Sequence, residues 1–419
     1  MSRNNASPVM SFGCRLNAYE SEVMEGHMRA AGMEGTVVIN SCAVTAEAER
    51  QLRQSIRKLK REQPETRIIV TGCAAQIHPD HYADMPEVDA VVGNEEKLKP
   101  ETYLALNGKA PEQTPILVND IMSVTETALH MMDGMGSRTR AFMQVQNGCN
   151  HRCTFCIIPY GRGNSRSVPV SQVVSGARQL LEKGFREIVI TGVDVSDYGK
   201  DLPETPTLGQ LLKTLLEELP ELPRLRLSSI DAVEVDEDLK RLFAENERLM
   251  PYLHVSLQAG DNLTLKRMKR RHLREDAIRF CNEMRSLRPE MMFGADIIAG
   301  FPTETEEMFQ KSLDIVDECG LTYLHVFPYS ERPGTPAAKM PSVPLAVRKE
   351  RAARLRDKGQ GRLSAYLNSL IGTEQQVLVE QHSMARNAQF AEFKLSGQVQ
   401  PGEIITVVPT HTDGKHLFA

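Results

Sequence analysis

Short apolar runs alternate with longer amphipathic stretches along most of this chain, and the alternation predicts its architecture. Between residues 141 and 330, six apolar segments stand at 142–146, 187–191, 224–228, 253–257, 293–298 and 323–327, each the length of a buried strand. Segments 208–219, 275–287 and 306–319 lie between them and carry apolar residues at helical spacing. Repeated strand–helix units imply parallel strands, and six in series predict a partial (βα)6 barrel. A second series occupies the first hundred residues, with apolar strands beginning near Val9, Val37 and Ile68. Residues 101–140 read as a loop-rich junction containing Gly134 and Gly136. Beyond Pro344 a charged helix runs to about Leu370, and segments 376–380 and 403–408 with the Pro401-Gly402 turn predict a small β-barrel. The expected fold is therefore α/β in three units: an N-terminal parallel-sheet unit over 1–135, the partial barrel over 136–370 and the β-barrel over 371–419.

Cysteines mark where chemistry belongs on this frame. The three N-terminal strands end alike, in Gly13-Cys14, Ser41-Cys42 and Gly72-Cys73, and the cysteines stand 28 and 31 residues apart. That interval is about one βαβ unit, so parallel strands bring the thiols to one sheet edge, where open α/β sheets bind ligands. Alone, each would read as a small buried hydrophobe; three at equivalent positions read as a metal cluster. The window Gly148-Cys149-Asn150-His151-Arg152-Cys153-Thr154-Phe155-Cys156 follows the first barrel strand, at the end where such barrels place their sites. Three thiolates suit an iron–sulfur cluster or zinc. His151 could complete a structural zinc site, although no second Cys-x-x-Cys arm follows. On a four-iron cube, three protein ligands would leave one iron open to a small chelating molecule. Cys281 and Cys319 sit in helical patterns without spaced partners and read as structural.

Eight cysteines in 419 residues are too few for a disulfide scaffold, and the polar start Met1-Ser2-Arg3-Asn4-Asn5 lacks a signal-peptide core. A reducing cytoplasm is expected. No apolar run reaches the roughly 18 residues that cross a bilayer, so no membrane span is expected. A net charge of −5 argues against nucleic-acid binding by the whole surface, but local basic runs remain. Arg50, Arg53, Arg57 and Arg61 share a helical face, while Lys266, Arg267, Lys269, Arg270, Arg271 and Arg274 crowd one short stretch. Both runs fit RNA phosphates, and both fit solvated faces. The tail from Ile371 carries three basic against five acidic residues, so any RNA contact there would rest on shape and on stacking by Phe390 and Phe393.

The three-cysteine window, with Phe155 before its last thiol, resembles the signature loop of radical S-adenosylmethionine (SAM) enzymes. Together with the Cys14/Cys42/Cys73 unit and the small β tail, known there as a TRAM domain, nearly the whole chain resembles the methylthiotransferase family within them. Supporting stretches are Ile157-Ile158-Pro159-Tyr160-Gly161-Arg162-Gly163, Ser256-Leu257-Gln258-Ala259-Gly260, Asp296-Ile297-Ile298-Ala299-Gly300-Phe301-Pro302 and Phe327-Pro328-Tyr329-Ser330. Ala259 and Thr303 stand where the family often has serine and glycine. The stretches Phe12-Gly13-Cys14-Arg15-Leu16-Asn17, Cys42-Ala43-Val44-Thr45-Ala46 and Arg226-Leu227-Ser228-Ser229-Ile230-Asp231 look most like the branch acting on threonylcarbamoyladenosine at tRNA position 37.

The resemblance implies two [4Fe–4S] clusters. Cys14, Cys42 and Cys73 would ligate an auxiliary one carrying the sulfur to be methylated, and Cys149, Cys153 and Cys156 the one that cleaves SAM to a 5′-deoxyadenosyl radical. Phe155, Gln258 and Asp296 are the implied cofactor contacts. The implied partners are the tRNA anticodon loop, an electron donor such as flavodoxin or ferredoxin, and a sulfur donor. Sibling branches act on isopentenyladenosine or on a ribosomal-protein aspartate, and a non-catalytic zinc or iron–sulfur RNA-binding redox sensor is the reading outside the enzyme class. A dry closed site would form if two α/β edges faced each other under a roof made by the third unit.

Overall fold

The computed structural model describes residues 7–107, 114–127 and 139–419. Gly134, Gly136, the 135/136 boundary and residues 1–5 lie outside the described residues.

Five parallel strands form the N-terminal sheet in sequential order: β1 (Val9–Ser11), β2 (Thr36–Ser41), β3 (Arg67–Gly72), β4 (Ala90–Val92) and β5 (Ile116–Leu117). Adjacent residues on one strand feed opposite cores, Val38 and Ile69 one face and Ile39, Ile68 and Val70 the other. Burial on both faces explains why these strands read as continuous apolar runs. β4 and β5 escaped the sequence reading because three and two residues are too short to show a period, and β5 falls where a loop was expected.

Next come β6 (Arg140–Gln144), the short antiparallel pair β7 (Gln146–Asn147) and β8 (Arg166–Ser167), then β9 (Glu187–Thr191), β10 (Arg224–Leu227), β11 (Ser229–Ile230), β12 (Tyr252–Gln258), β13 (Met292–Ala299) and β14 (Leu321–Pro328). All six predicted barrel strands are present. They form two parallel arcs, β6-β9-β10 and β11-β12-β13-β14, rather than one continuous sheet. The arcs are stitched where Leu225 N–H donates to Arg248 O (2.7 Å) and Met250 N–H to Leu225 O (2.8 Å). β6 and β14 are left as the two free edges of the partial barrel. The expected charged helix spans Leu345–Leu370 and packs against β14.

The tail is a six-stranded sheet made of β15 (Gln375–Gln381), β16 (Met384–Asn387), β17 (Glu392–Lys394), β18 (Ile404–Val407), β19 (His411–Thr412) and β20 (His416–Phe418). Its position corrects the expectation of a roof over the site. Arg224 and Arg226, on β10, donate to the carbonyls of Arg386, Gln376 and Ala388, while Arg140 at the start of β6 binds Glu380. These contacts lie at the amino ends of the barrel strands, so the tail closes the floor.

Phe390 is the stopper of that floor. Its ring stacks on Tyr252 (centroids 4.9 Å apart, 15° between planes), meets Tyr323 edge-on and lies beneath Arg386 (4.1 Å) and Arg226 (5.3 Å). Phe393 is fully buried in the tail's own core. Both rings are engaged in packing, which withdraws them from the RNA-stacking role expected of them.

Candidate active site

The two groups of thiols face each other. The loop after β7 carries Cys149, Cys153 and Cys156, and helix Ile158–Arg162 follows at once. Gly161 on that helix approaches the N-terminal unit so closely that a Cβ on it would stand 3.1 Å from Cys73 Cβ. On the other side, a Cβ on Gly13 would stand 2.7 Å from Cys42 Sγ, which puts the end of β1 against the end of β2. The carboxyl edge of the N-terminal sheet is thus turned onto the carboxyl end of the barrel. Ala46 N–H donates to Ser330 Oγ (3.0 Å), and Arg332 pairs with Glu49 across the same junction.

A buried ionic group holds this junction closed. Glu20, on helix Arg15–Ala30, accepts from Arg162 Nη1 (2.7 Å) and from Lys97 Nζ (2.7 Å), and Arg162 also reaches Asn17 Oδ1 and Asn147 Oδ1. Lys97 completes its shell with Asn40 and Asn94, and Asn94 Nδ2 donates onward to Cys73 Sγ (3.6 Å). Burial alone would raise the Glu20 carboxyl; the Arg162 and Lys97 charges override it and lower the pKa to about 2.

In donor type and number, each set of three free thiols matches the protein ligands of an open-cornered iron–sulfur cube. All eight cysteines are free of disulfides. Burial pushes the Cys42 thiol up to about 11 and Cys156 up to about 12, and burial with the Asp194 carboxylate raises Cys149 further, so ligand binding at either set must release protons. Donors already point at the sulfurs: Val44 N–H at Cys42 (3.5 Å), His151 N–H at Cys149 (3.4 Å) and Arg270 Nη1 at Cys153 (3.7 Å). His151, the candidate fourth zinc ligand, is engaged elsewhere. Its Nε2 lies 2.9 Å from Asp194 Oδ2 and 3.5 Å from Glu234 Oε2, so the loop is not built as a closed three-thiol, one-imidazole site.

The other expected contacts are scattered. Phe155 packs edge-on against Phe301 and supports the cysteine loop from within an apolar cluster. Gln258 ends β12 with a left-handed φ of 70°, beside a break in the strand register. Asp296 lies lower, inside the barrel, where its Oδ1 accepts from His254 Nε2 (3.0 Å) and His325 Nδ1 (3.2 Å). Those hydrogen bonds overcome its burial and hold the carboxyl below the usual range.

The basic stretch is less available to RNA than expected. Arg270 is buried on Asp231 (2.7 Å), Arg271 pairs with Glu234 (2.6 Å) and Arg274 with Glu318, so only Lys266, Arg267 and Lys269 lack an acidic partner among the described residues. On helix Ala46–Glu62, Arg50 pairs with Glu47 (2.6 Å) while Arg53 and Arg57 stand 3.9 Å from Glu49 and Glu87. Asp194, Glu234, His254 and His325 were missed from sequence. Asp194 sits three residues past the end of β9, the carboxyl-end position where barrels carry function, and that signal could have found it.

This fold and loop place the chain among radical SAM proteins, and a Radical SAM superfamily family model matches residues 143–316. A second, described as uncharacterized protein family UPF0004, matches residues 7–93. The fold is similar to that of the radical SAM methyltransferase TsrM from Kitasatospora setae, at TM-score 0.54 and 15% identity over 77% of this chain and 70% of that one. The threonylcarbamoyladenosine tRNA methylthiotransferase MtaB of Rickettsia prowazekii is 51% identical over 96% of this chain and 94% of its own length. MtaB of Thermotoga maritima is 37% identical over 90% and 87%, and the tRNA-2-methylthio-N(6)-dimethylallyladenosine synthase of Shouchella clausii 32% over 83% and 69%. The chain belongs to the MtaB family of radical SAM methylthiotransferases.

Proposed function

We propose that this protein attaches a methylthio group to C2 of N6-threonylcarbamoyladenosine at position 37 of tRNA. The observation that carries the reading is the opposition of two three-thiol sets across Gly161, joined to near-full-length likeness to proteins bearing that name. Likeness to dimethylallyladenosine synthases is weaker, 32% against 51% identity, which favours the threonylcarbamoyl branch over that sibling; action on a ribosomal-protein aspartate is the other alternative.

Cys149, Cys153 and Cys156 would hold the [4Fe–4S] cluster that takes SAM, and Cys14, Cys42 and Cys73 the second cluster. When bound, these groups supply radical and sulfur chemistry, which C2 requires because its C–H bond is too weakly acidic for a side-chain base. The chain's own residues do the rest. Arg270 and the His151 amide orient two of the thiolates, and Asp194, 3.5 Å from Cys149 Sγ, offers a carboxylate to the ammonium of a molecule chelated beside it. Gln258 ends the strand whose Ser256 carbonyl anchors Arg270, and Phe155 fixes the loop through Phe301. The tail, by closing the barrel floor, bars water from that end of the lumen.

The reaction needs a one-electron donor such as flavodoxin or ferredoxin and a sulfur donor. No helix among the described residues is long and apolar enough to cross a membrane, and unpaired cysteines suit a reducing cytoplasm. The test is reconstitution under anaerobic conditions with tRNA carrying the modified base, SAM and dithionite. About eight iron atoms per chain and a 2-methylthio nucleoside are expected. A colourless zinc protein without product would instead fit the redox-sensor reading.

A further inference from the structure

The free edge of the barrel carries a polar cluster that the cysteine chemistry does not use. Tyr323, His325 and Phe327 alternate along β14 on the face toward the lumen, whereas Leu324 packs outward against the helix at Gly359. His325 is held by Asp296 through Nδ1, and its ring lies 4.5 Å from that of His254, whose own Nδ1 meets Tyr252 Oη at 3.1 Å. This chain of four side chains fixes the imidazole while leaving Nε2 without a partner among the described residues. The His325 side chain is nevertheless 53% exposed, and Phe327, two residues further toward the thiols, is 38% exposed. Arg356 reaches over from helix Leu345–Leu370 to the carbonyl of Val326 (3.2 Å) and has no acidic partner among the described residues. Val326, whose carbonyl Arg356 reaches, lies between His325 and Phe327, so an unneutralised guanidinium stands at the strand edge beside the residues that carry the braced imidazole and the aromatic ring.

We propose that this edge is the binding subsite for the carboxylate-bearing substituent on the target base, with Phe327 stacking the purine, Arg356 pairing the carboxylate and His325 Nε2 accepting from the neighbouring hydroxyl. The inference rests on the function proposed above and names how the substrate is chosen. In an adenine, C2 and C6 flank N1 and their substituents point in diverging directions, so a base with C2 turned to the thiols can extend its N6 group along β14. A threonylcarbamoyl group ends in a carboxylate and a hydroxyl; the Arg356 guanidinium can pair the carboxylate through charge-assisted hydrogen bonds, while His325 Nε2, left an acceptor by the Nδ1–H bond to Asp296, can take the hydroxyl proton. A dimethylallyl group offers neither, and entering this edge it would leave the polar groups desolvated and unpaired.

The probe is a pair of anticodon stem-loops, one with threonylcarbamoyladenosine and one with plain adenosine at position 37, titrated against the reconstituted wild type and the variants His325→Leu, Arg356→Gln and the double substitution. Wild type is expected to prefer the modified loop by at least about tenfold, and the double variant to lose that preference while binding the plain loop as before. Iron content reports that each variant is folded and loaded. A modified-to-plain ratio unchanged in the double variant, or a wild type without preference, overturns the subsite. If wild type yields no methylthio product from the modified tRNA at all, the functional reading itself fails, so the two failures are distinct.

Discussion

Gly161 and Cys73 meet with no room to spare: a single added carbon on the glycine would lie 3.1 Å from the cysteine Cβ. The contact joins the helix that follows the radical-type loop to the strand end that carries the third N-terminal thiol, and it sets the spacing between the two sets. Gly161→Val should push them apart. Overpacking of this kind costs about 1–3 kcal/mol, a loss the fold survives. The expected outcome is retained SAM cleavage with loss of methylthio product, read by deoxyadenosine release against nucleoside mass spectrometry. Unchanged product yield would show that the spacing is not critical.

The Glu20–Arg162–Lys97 group predicts both a mutational cost and a pH dependence. Glu20→Gln removes the carboxylate between two buried cations and should destabilise the fold by about 3–5 kcal/mol, measured by chemical denaturation. Because the folded pKa of Glu20 is lowered from 4.5 to about 2, its contribution is fully present above about pH 4.5 and is lost as pH falls toward 2. The variant should therefore show a flatter acid limb than wild type over that window. Identical limbs would mean that the group is not charged in the folded state.

Phe390→Ala opens the barrel floor. Removing a ring packed among Tyr252, Tyr323 and Arg386 should cost about 3–5 kcal/mol and lower Tm, while leaving iron content intact because the six thiols proposed to hold iron lie at the opposite end. If Phe390 contacted RNA instead, Tm would stay unchanged and tRNA affinity would fall.

The two thiol sets should fail differently. Cys153→Ala leaves two thiols in the loop and is expected to abolish deoxyadenosine formation. Cys42→Ala should leave SAM cleavage running, uncoupled, with no methylthio product. Equal loss of SAM cleavage in both would contradict the division of labour.

Local pattern was enough to read the six barrel strands, because each is a buried apolar run, and to group six cysteines into two sets of three, because their spacing is written in the covalent chain. What pairs across long distances was not legible. The meeting of Glu20 with Arg162, the grip of Asp231 on Arg270 and the insertion of Phe390 between Tyr252 and Tyr323 depend on how three units dock, and no periodicity encodes docking. The basic run at 266–274 misled for the same reason, since net charge in a short stretch says nothing of the buried acids awaiting it. His254 and His325 passed unnoticed as ordinary strand residues until β13 placed Asp296 between them.

The central claim is the identity of the modified base, and mass spectrometry of tRNA nucleosides from a strain lacking this protein reads it most directly. The account predicts that 2-methylthio-threonylcarbamoyladenosine disappears, that its unmethylthiolated precursor accumulates, and that expression of the wild-type chain, but not of Cys42→Ala, restores it. Persistence of that nucleoside with loss of another methylthiolated product would contradict it.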